Sequence, residues 1–185
     1  MPSSKDRLYV ALYARSGPPR MPGGEDRYHW SLIVGPKTES PSAIGTRYHA
    51  KETMKNVDGA IKNVWVFEER QMSLLPTSAI LVRIMIGKVT DKTRLQEAFA
   101  KTPIRAGLEG YSNWNCVFWL EEALSRGAQD GKALGKCHTD WTYVKDTAMW
   151  YVAKKAADHR FDGDGNFDNS KVPTWDILEG KEVIA

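Results

Sequence analysis

Cysteine is nearly missing from this chain, with two in 185 residues, Cys116 and Cys137. That excludes a disulfide framework, so the core must hold itself together and both thiols are expected to be free. No run of 18 apolar residues occurs, and Met1-Pro2-Ser3-Ser4-Lys5-Asp6-Arg7 carries no apolar segment of the kind a secretory signal needs. The expectation is a cytoplasmic protein with no membrane span. One-sided charge is lacking too. The 26 Lys and Arg stand against 23 Asp and Glu, a net charge of +3, and the basic residues are dispersed. Nothing there offers the electrostatic footprint of a nucleic-acid partner or an anionic membrane. There is no internal repeat and no low-complexity segment.

What remains is the composition of a single α+β domain spanning 1–185, with 42% hydrophobic and 26% charged residues. The first half reads as strands: 8–13, 28–34, a short one at 45–50, 64–68, and 79–86. The last is apolar on nearly every position, as a central strand is. Helices follow: one opened by Asp91 or Thr93 and stopped by Pro103, one over 116–126 with Gly127 as its C-cap, and one capped by Asp140 over 141–155. Cys137 falls in a loop. Strands followed by helices argue for α+β rather than alternating α/β. The expected organisation is a core over about 8–126 and a helical C-terminal extension over about 139–185, its tail docked by Pro173, Trp175 and Leu178.

Asn115-Cys116 is the most informative pair. An irregular stretch from Leu108 to Trp114 gives way there to an amphipathic helix, and Asn115 is a good N-cap. A cysteine in a first helical turn faces unpaired N–H groups and the positive end of the helix dipole, both of which favour thiolate. Upstream, His29 lies mid-strand in Tyr28-His29-Trp30-Ser31, and His49 lies on the next strand in Arg47-Tyr48-His49-Ala50. Adjacent strands can line both rings along one face. A thiol nucleophile, a general base and a group fixing the base's tautomer are the three parts of cysteine catalysis. Cys116, His29 and His49 supply them in that order. Asn113, Trp114 and Asn115 are the candidates for oxyanion and substrate contacts, with Trp30 shaping the pocket.

With those residues in place, the chain resembles the circularly permuted branch of the papain-like NlpC/P60 superfamily, which includes lecithin:retinol acyltransferase-like proteins and PPPDE peptidases. The acyltransferase-like members order their site as strand histidine, a polar residue on the next strand, then Asn-Cys opening a helix. His29, His49 and Asn115-Cys116 match that order over roughly residues 8 to 126. The pattern departs after the cysteine, where Val117-Phe118 stand in place of Glu-His. Across most of its length the chain also resembles a family of uncharacterised fungal proteins, through Tyr28-His29-Trp30, Gly45-Thr46-Arg47-Tyr48-His49, Asn115-Cys116-Val117-Phe118-Trp119 and Thr174-Trp175-Asp176-Ile177.

The resemblance implies a papain-like antiparallel sheet packed on helices. It also implies acyl-enzyme chemistry on an amide, ester or thioester of a small-molecule or peptide substrate, without a cofactor. The PPPDE comparison alone adds proteolysis of ubiquitin-like conjugates. The competing reading, from a different class, is a non-enzymatic ligand- or peptide-binding module that keeps the fold. Metal is not expected. Cys137-His138 lacks further zinc ligands. Asp162-Gly163-Asp164-Gly165-Asn166-Phe167-Asp168 imitates a calcium loop but has Phe167 where a glycine belongs and Pro173 where the bidentate Glu belongs.

Overall fold

The computed structural model describes residues 6–185. Two strands buried on both faces organise it: β1 (Asp6–Ala14) and β5 (Ile80–Val89), paired antiparallel. Their near-continuous apolar runs are what a strand needs when it has no solvent-facing side. β2 (Tyr28–Pro36) pairs with the other edge of β1, followed outward by β3 (Ile44–Val57) and β4 (Ala60–Ser73). On the far side, β7 (Thr174–Asp176) joins β5 in parallel and β8 (Lys181–Ile184) joins β7, while the short β6 (Leu134–Cys137) also pairs with β5. The sheet is therefore mixed but largely antiparallel, in the order β4-β3-β2-β1-β5-β7-β8.

Three helices accompany the sheet: α1 (Lys92–Ala100), α2 (Cys116–Gln129) and α3 (Trp141–Ala157). Asp91, Asn115 and Asp140 cap them, each accepting a hydrogen bond from a first-turn backbone N–H, worth about 1 kcal/mol apiece. The main core lies between one sheet face (Leu8, Val10, Leu12, Trp30, Leu32) and the helices (Phe99, Trp119, Leu120, Tyr151). Trp30 and Trp119 are fully buried. At ~25 cal/mol per Å² and ~150–250 Å² each, such burial is worth about 4–6 kcal/mol per ring as an upper bound. The opposite face carries a smaller cluster around Tyr9, Tyr13, Ile33, Leu74 and Met85. No helix is long and apolar enough to cross a membrane among the described residues.

The α+β expectation holds, with four corrections. β3 and β4 are much longer than the apolar segments within them, because a tight turn at Asp58-Gly59, both with positive φ, registers the polar ends as a hairpin. Gly127 does not end α2. It sits inside the helix, where a Cβ would lie 2.9 Å from Leu95 Cδ1 and 3.4 Å from Phe99 Cε1, so glycine lets α1 and α2 approach closely. There is no separate helical extension. α3 packs into the main core and the segment after it contributes β7 and β8 to the same sheet, with Arg83 and Ile84 in register with Thr174 and Trp175 and the Arg83 N–H donating to the Pro173 carbonyl at 2.9 Å. Cys137 ends β6 rather than lying in a loop.

β6 can reach β5 only because Gly87 has no side chain. A Cβ there would collide with the Cys137 sulfur and lie 3.0 Å from its Cα, which is backbone and cannot rotate away. Gly87→Ala should therefore cost about 1–3 kcal/mol, read as a lower midpoint in urea unfolding with unchanged slope. An unchanged midpoint would show that the β5–β6 pairing is not under this constraint.

Candidate functional site

The geometry of the site begins with β2 and β3. They pair only over Leu32–Val34 against Thr46–Tyr48 and part beyond that point. Where they part, His29 and His49 reach toward each other. His29 Nε2 lies 2.6 Å from His49 Nδ1, and the rings meet edge to face. His49 Nε2 in turn lies 2.9 Å from Glu68 Oε1 on β4, its partner in the β3–β4 register. Lys51 Nζ at 2.5 Å and Arg47 Nη2 at 3.3 Å hold the same carboxylate.

This network fixes the protons. Burial works to raise the Glu68 carboxyl, but hydrogen bonds from Lys51 and His49 win and hold it down at about 2, so it is ionised and can only accept. His49 Nε2 must therefore carry a hydrogen. Burial holds the His49 imidazole down at about 4, so at neutral pH the ring is uncharged and its Nδ1 is an acceptor. His29 Nε2 must then donate to it. Burial, followed by the charges of His49 and Arg47, holds His29 down at about 3, so this ring is neutral as well. The one assignment that satisfies the chain leaves His29 Nδ1 without a proton, a free lone pair at the end of a three-member relay.

Cys116 is the first residue of α2, with the Asn115 side chain accepting from the Val117 N–H at 2.9 Å. The backbone N–H groups of Trp30 and of Cys116 itself act on the thiol, so Cys116 sits close to β2 at the level where β3 has left it. Burial opposes the thiolate expected at this helix start. The residue is fully buried, and desolvation pushes the thiol up to about 11 despite the two N–H groups and the Arg15 guanidinium. Cys137, half-buried, is pushed up to about 12 by burial alone. Among the described residues no hydrogen bond joins the Cys116 sulfur to either imidazole. Trp30, Leu32 and Val34 face the helices with Cys116, whereas His29 alternates with them and its ring lies 6.0 Å from Tyr13 of the opposite cluster. The thiol and the relay thus approach the strand gap from opposite faces.

Over the N-terminus of α2 lies a cleft of about 310 Å³, bounded by Arg15, Arg20, Asp26, Glu52, Trp65 and the segment 112–115. Asn113, Trp114 and Asn115 line it, with Trp114 set edge-on to Trp65. Trp114 offers no free backbone donor, since its N–H is bonded to the Tyr111 carbonyl. Trp30 is not a pocket residue. It is buried in the core, its Nε1 donating to the Glu25 carbonyl at 2.8 Å and its ring set edge-on to Trp141. Glu68 is the member that sequence reasoning did not find. Of the residues in the acidic turn, His159, Asp162 and Asp164 cluster at the surface, with His159 Nδ1 2.6 Å from Asp162.

The chain matches a family of unknown function (DUF6914) over residues 5–184, and it belongs to that family. Comparison with curated proteins and with solved structures finds no match.

Two consequences can be measured. Both imidazoles titrate lower in the folded chain than the ordinary value near 6.5, so as pH falls below 6.5 the unfolded chain takes up protons that the folded one does not. Glu68 adds to this below about 4.5. Thermal midpoints should be flat above pH 7 and fall steadily from 6.5 to 4, and His29→Gln combined with His49→Gln should flatten that fall. A wild-type midpoint independent of pH over this range would refute the buried neutral pair. Second, iodoacetamide should label Cys116 slowly at pH 7, with a rate that climbs only toward pH 10–11. Rapid labelling below pH 8, followed by mass spectrometry of tryptic peptides, would show that the helix N-terminus outweighs burial.

Proposed function

We propose that the protein is a cysteine-dependent hydrolase or acyltransferase, with a papain-like site of permuted NlpC/P60 type working through an acyl-enzyme. The observation that carries this reading is the relay from Glu68 through His49 to His29, which leaves His29 Nδ1 unprotonated one residue along β2 from Trp30, whose backbone N–H acts on the Cys116 thiol. Glu68 satisfies the buried His49 N–H in the fold and would also stabilise the imidazolium that a general base becomes in the transition state.

The resting site holds a thiol and a neutral imidazole rather than an ion pair, so proton removal accompanies attack. The step requires the Cys116 sulfur and His29 Nδ1, which at rest lie on opposite faces of the sheet, to meet where β2 and β3 part; Sγ then bonds to the substrate carbonyl carbon as its proton passes to His29 Nδ1. The imidazolium so formed is stabilised through His49 by Glu68. The Cys116 N–H, aimed at rest at its own sulfur, is the donor nearest the developing oxyanion. Collapse expels the amine, alcohol or thiol leaving group, which takes the proton back from His29. Water then releases the acyl group in a hydrolase, and an amine or hydroxyl accepts it in a transferase. The cleft at Asn113–Asn115 opens onto this helix start and is the route for substrate.

The full burial of Cys116 and its raised titration favour a second reading, a binding module that uses the same cleft without turnover. A panel of activated esters and thioesters, followed by intact-mass detection of acylated protein, separates the two. The enzyme reading predicts one acyl adduct on Cys116, absent in Cys116→Ala and unaffected in Cys137→Ser. His29→Ala should lower the rate by about 10²–10⁴, the usual contribution of a general base. His49→Gln should retain part of the activity, because an amide can still orient the ring. Binding without any adduct across the panel would establish the module instead.

A further inference from the structure

A second concavity, of about 530 Å³, lies at the other end of the sheet, on the face turned away from the helices. It shares no lining residue with the cleft over α2. Its floor is Tyr9 of β1 and Met85 of β5, with Leu74 against them, all members of the smaller apolar cluster. Leu75 and Val183 form its lip, 46% and 49% exposed. Its size is within the ~300–1,000 Å³ of small-molecule sites, and its apolar floor with few polar groups is the usual make-up of such sites.

The charges around it are unequal in what they leave available. Both oxygens of Glu39 are committed to Arg83, at 2.7 and 3.0 Å, and that guanidinium is buried beneath the Tyr9 ring. Asp176 accepts from the Leu178 and Glu179 N–H groups. Lys37 and Lys171 are exposed at the mouth, Lys171 being 3.8 Å from an exposed Asp168 and Lys37 within reach of the exposed Glu179, both pairs screened by water, while Arg7 is buried in the wall. An apolar cavity under a cationic mouth is complementary to a molecule with an apolar tail and an anionic head.

We propose that this cavity binds a single-chain amphiphile bearing one anionic head group, with the tail over Tyr9, Leu74 and Met85 and the head between Lys37 and Lys171. The site is separate from the cleft over α2, with which it shares no lining residue.

The test uses 11-(dansylamino)undecanoic acid and its methyl ester as fluorescent probes on the full chain. Cys116→Ala carries the ester arm, so that turnover cannot confound it. The acid should show saturable fluorescence enhancement, equal in wild type and Cys116→Ala, and the ester should bind at least about tenfold more weakly. Lys37→Glu with Lys171→Glu should weaken the acid about tenfold and leave the ester unchanged. Leu75→Asp with Val183→Asp, both at exposed positions that the fold does not need, should weaken the acid and the ester alike. Displacement by laurate or by dodecyl phosphate identifies which head group is preferred. Absence of saturable binding, an ester that binds as tightly as the acid, or affinity untouched by Leu75→Asp with Val183→Asp would each overturn the proposal. Loss of acyl-adduct formation at Cys116 would not bear on it.

Discussion

The negative charge of Glu68 is the constraint from which the candidate site follows. A carboxylate held ionised by Lys51 and Arg47 accepts and cannot donate, so it dictates the tautomer of His49, and His49 dictates that of His29. Two imidazoles separated by 2.6 Å and withdrawn from water could not both be charged, and each has only one way to be neutral. The result is an imidazole whose Nδ1 lone pair has a defined position and, among the described residues, no hydrogen bond. Removing Glu68 would release the order of the whole chain rather than one hydrogen bond.

The sheet decides where that lone pair meets the rest of the molecule. β3 leaves β2 after Tyr48 and runs on with β4 as a long hairpin, so a gap opens at the level of Trp30. The N-terminus of α2 brings Cys116 close to the Trp30 backbone at that level. Two physical effects compete over this sulfur. The helix end and the N–H groups favour a thiolate; burial disfavours it more strongly, and the resting group is a thiol. On the reading proposed, this protects the nucleophile until a substrate in the cleft draws it toward His29. Rules for reactive cysteines that count neighbours along the chain register the helix end but not the surrounding apolar residues.

Much of the site was legible in the sequence because it rests on local signals. Asn115 before Cys116 predicts a capped helix start, and His29 and His49 fall on strands whose alternation is visible. Glu68 was within reach too. Asp58-Gly59 is a hairpin turn signal, and counting eight residues back from Val57 and eight on from Ala60 pairs His49 with Glu68. The polar composition of the hairpin ends concealed it, since apolar alternation fades there. Gly127 misled for a different reason. Glycine marks both helix ends and close helix contacts, and only the Leu95 side chain across the interface distinguishes them. The entry of β7 and β8 into the sheet depends on pairing with β5 roughly ninety residues away, which no local pattern reports.

The central claim is the proton arrangement of the relay, and nitrogen-15 NMR of the histidine side chains at pH 7 tests it most directly. The account predicts that both His29 and His49 are neutral Nε2–H tautomers, with a bare His29 Nδ1, and that Glu68→Gln disturbs both rings. An Nδ1–H tautomer at His29, or a charged imidazolium at either position at pH 7, would contradict it.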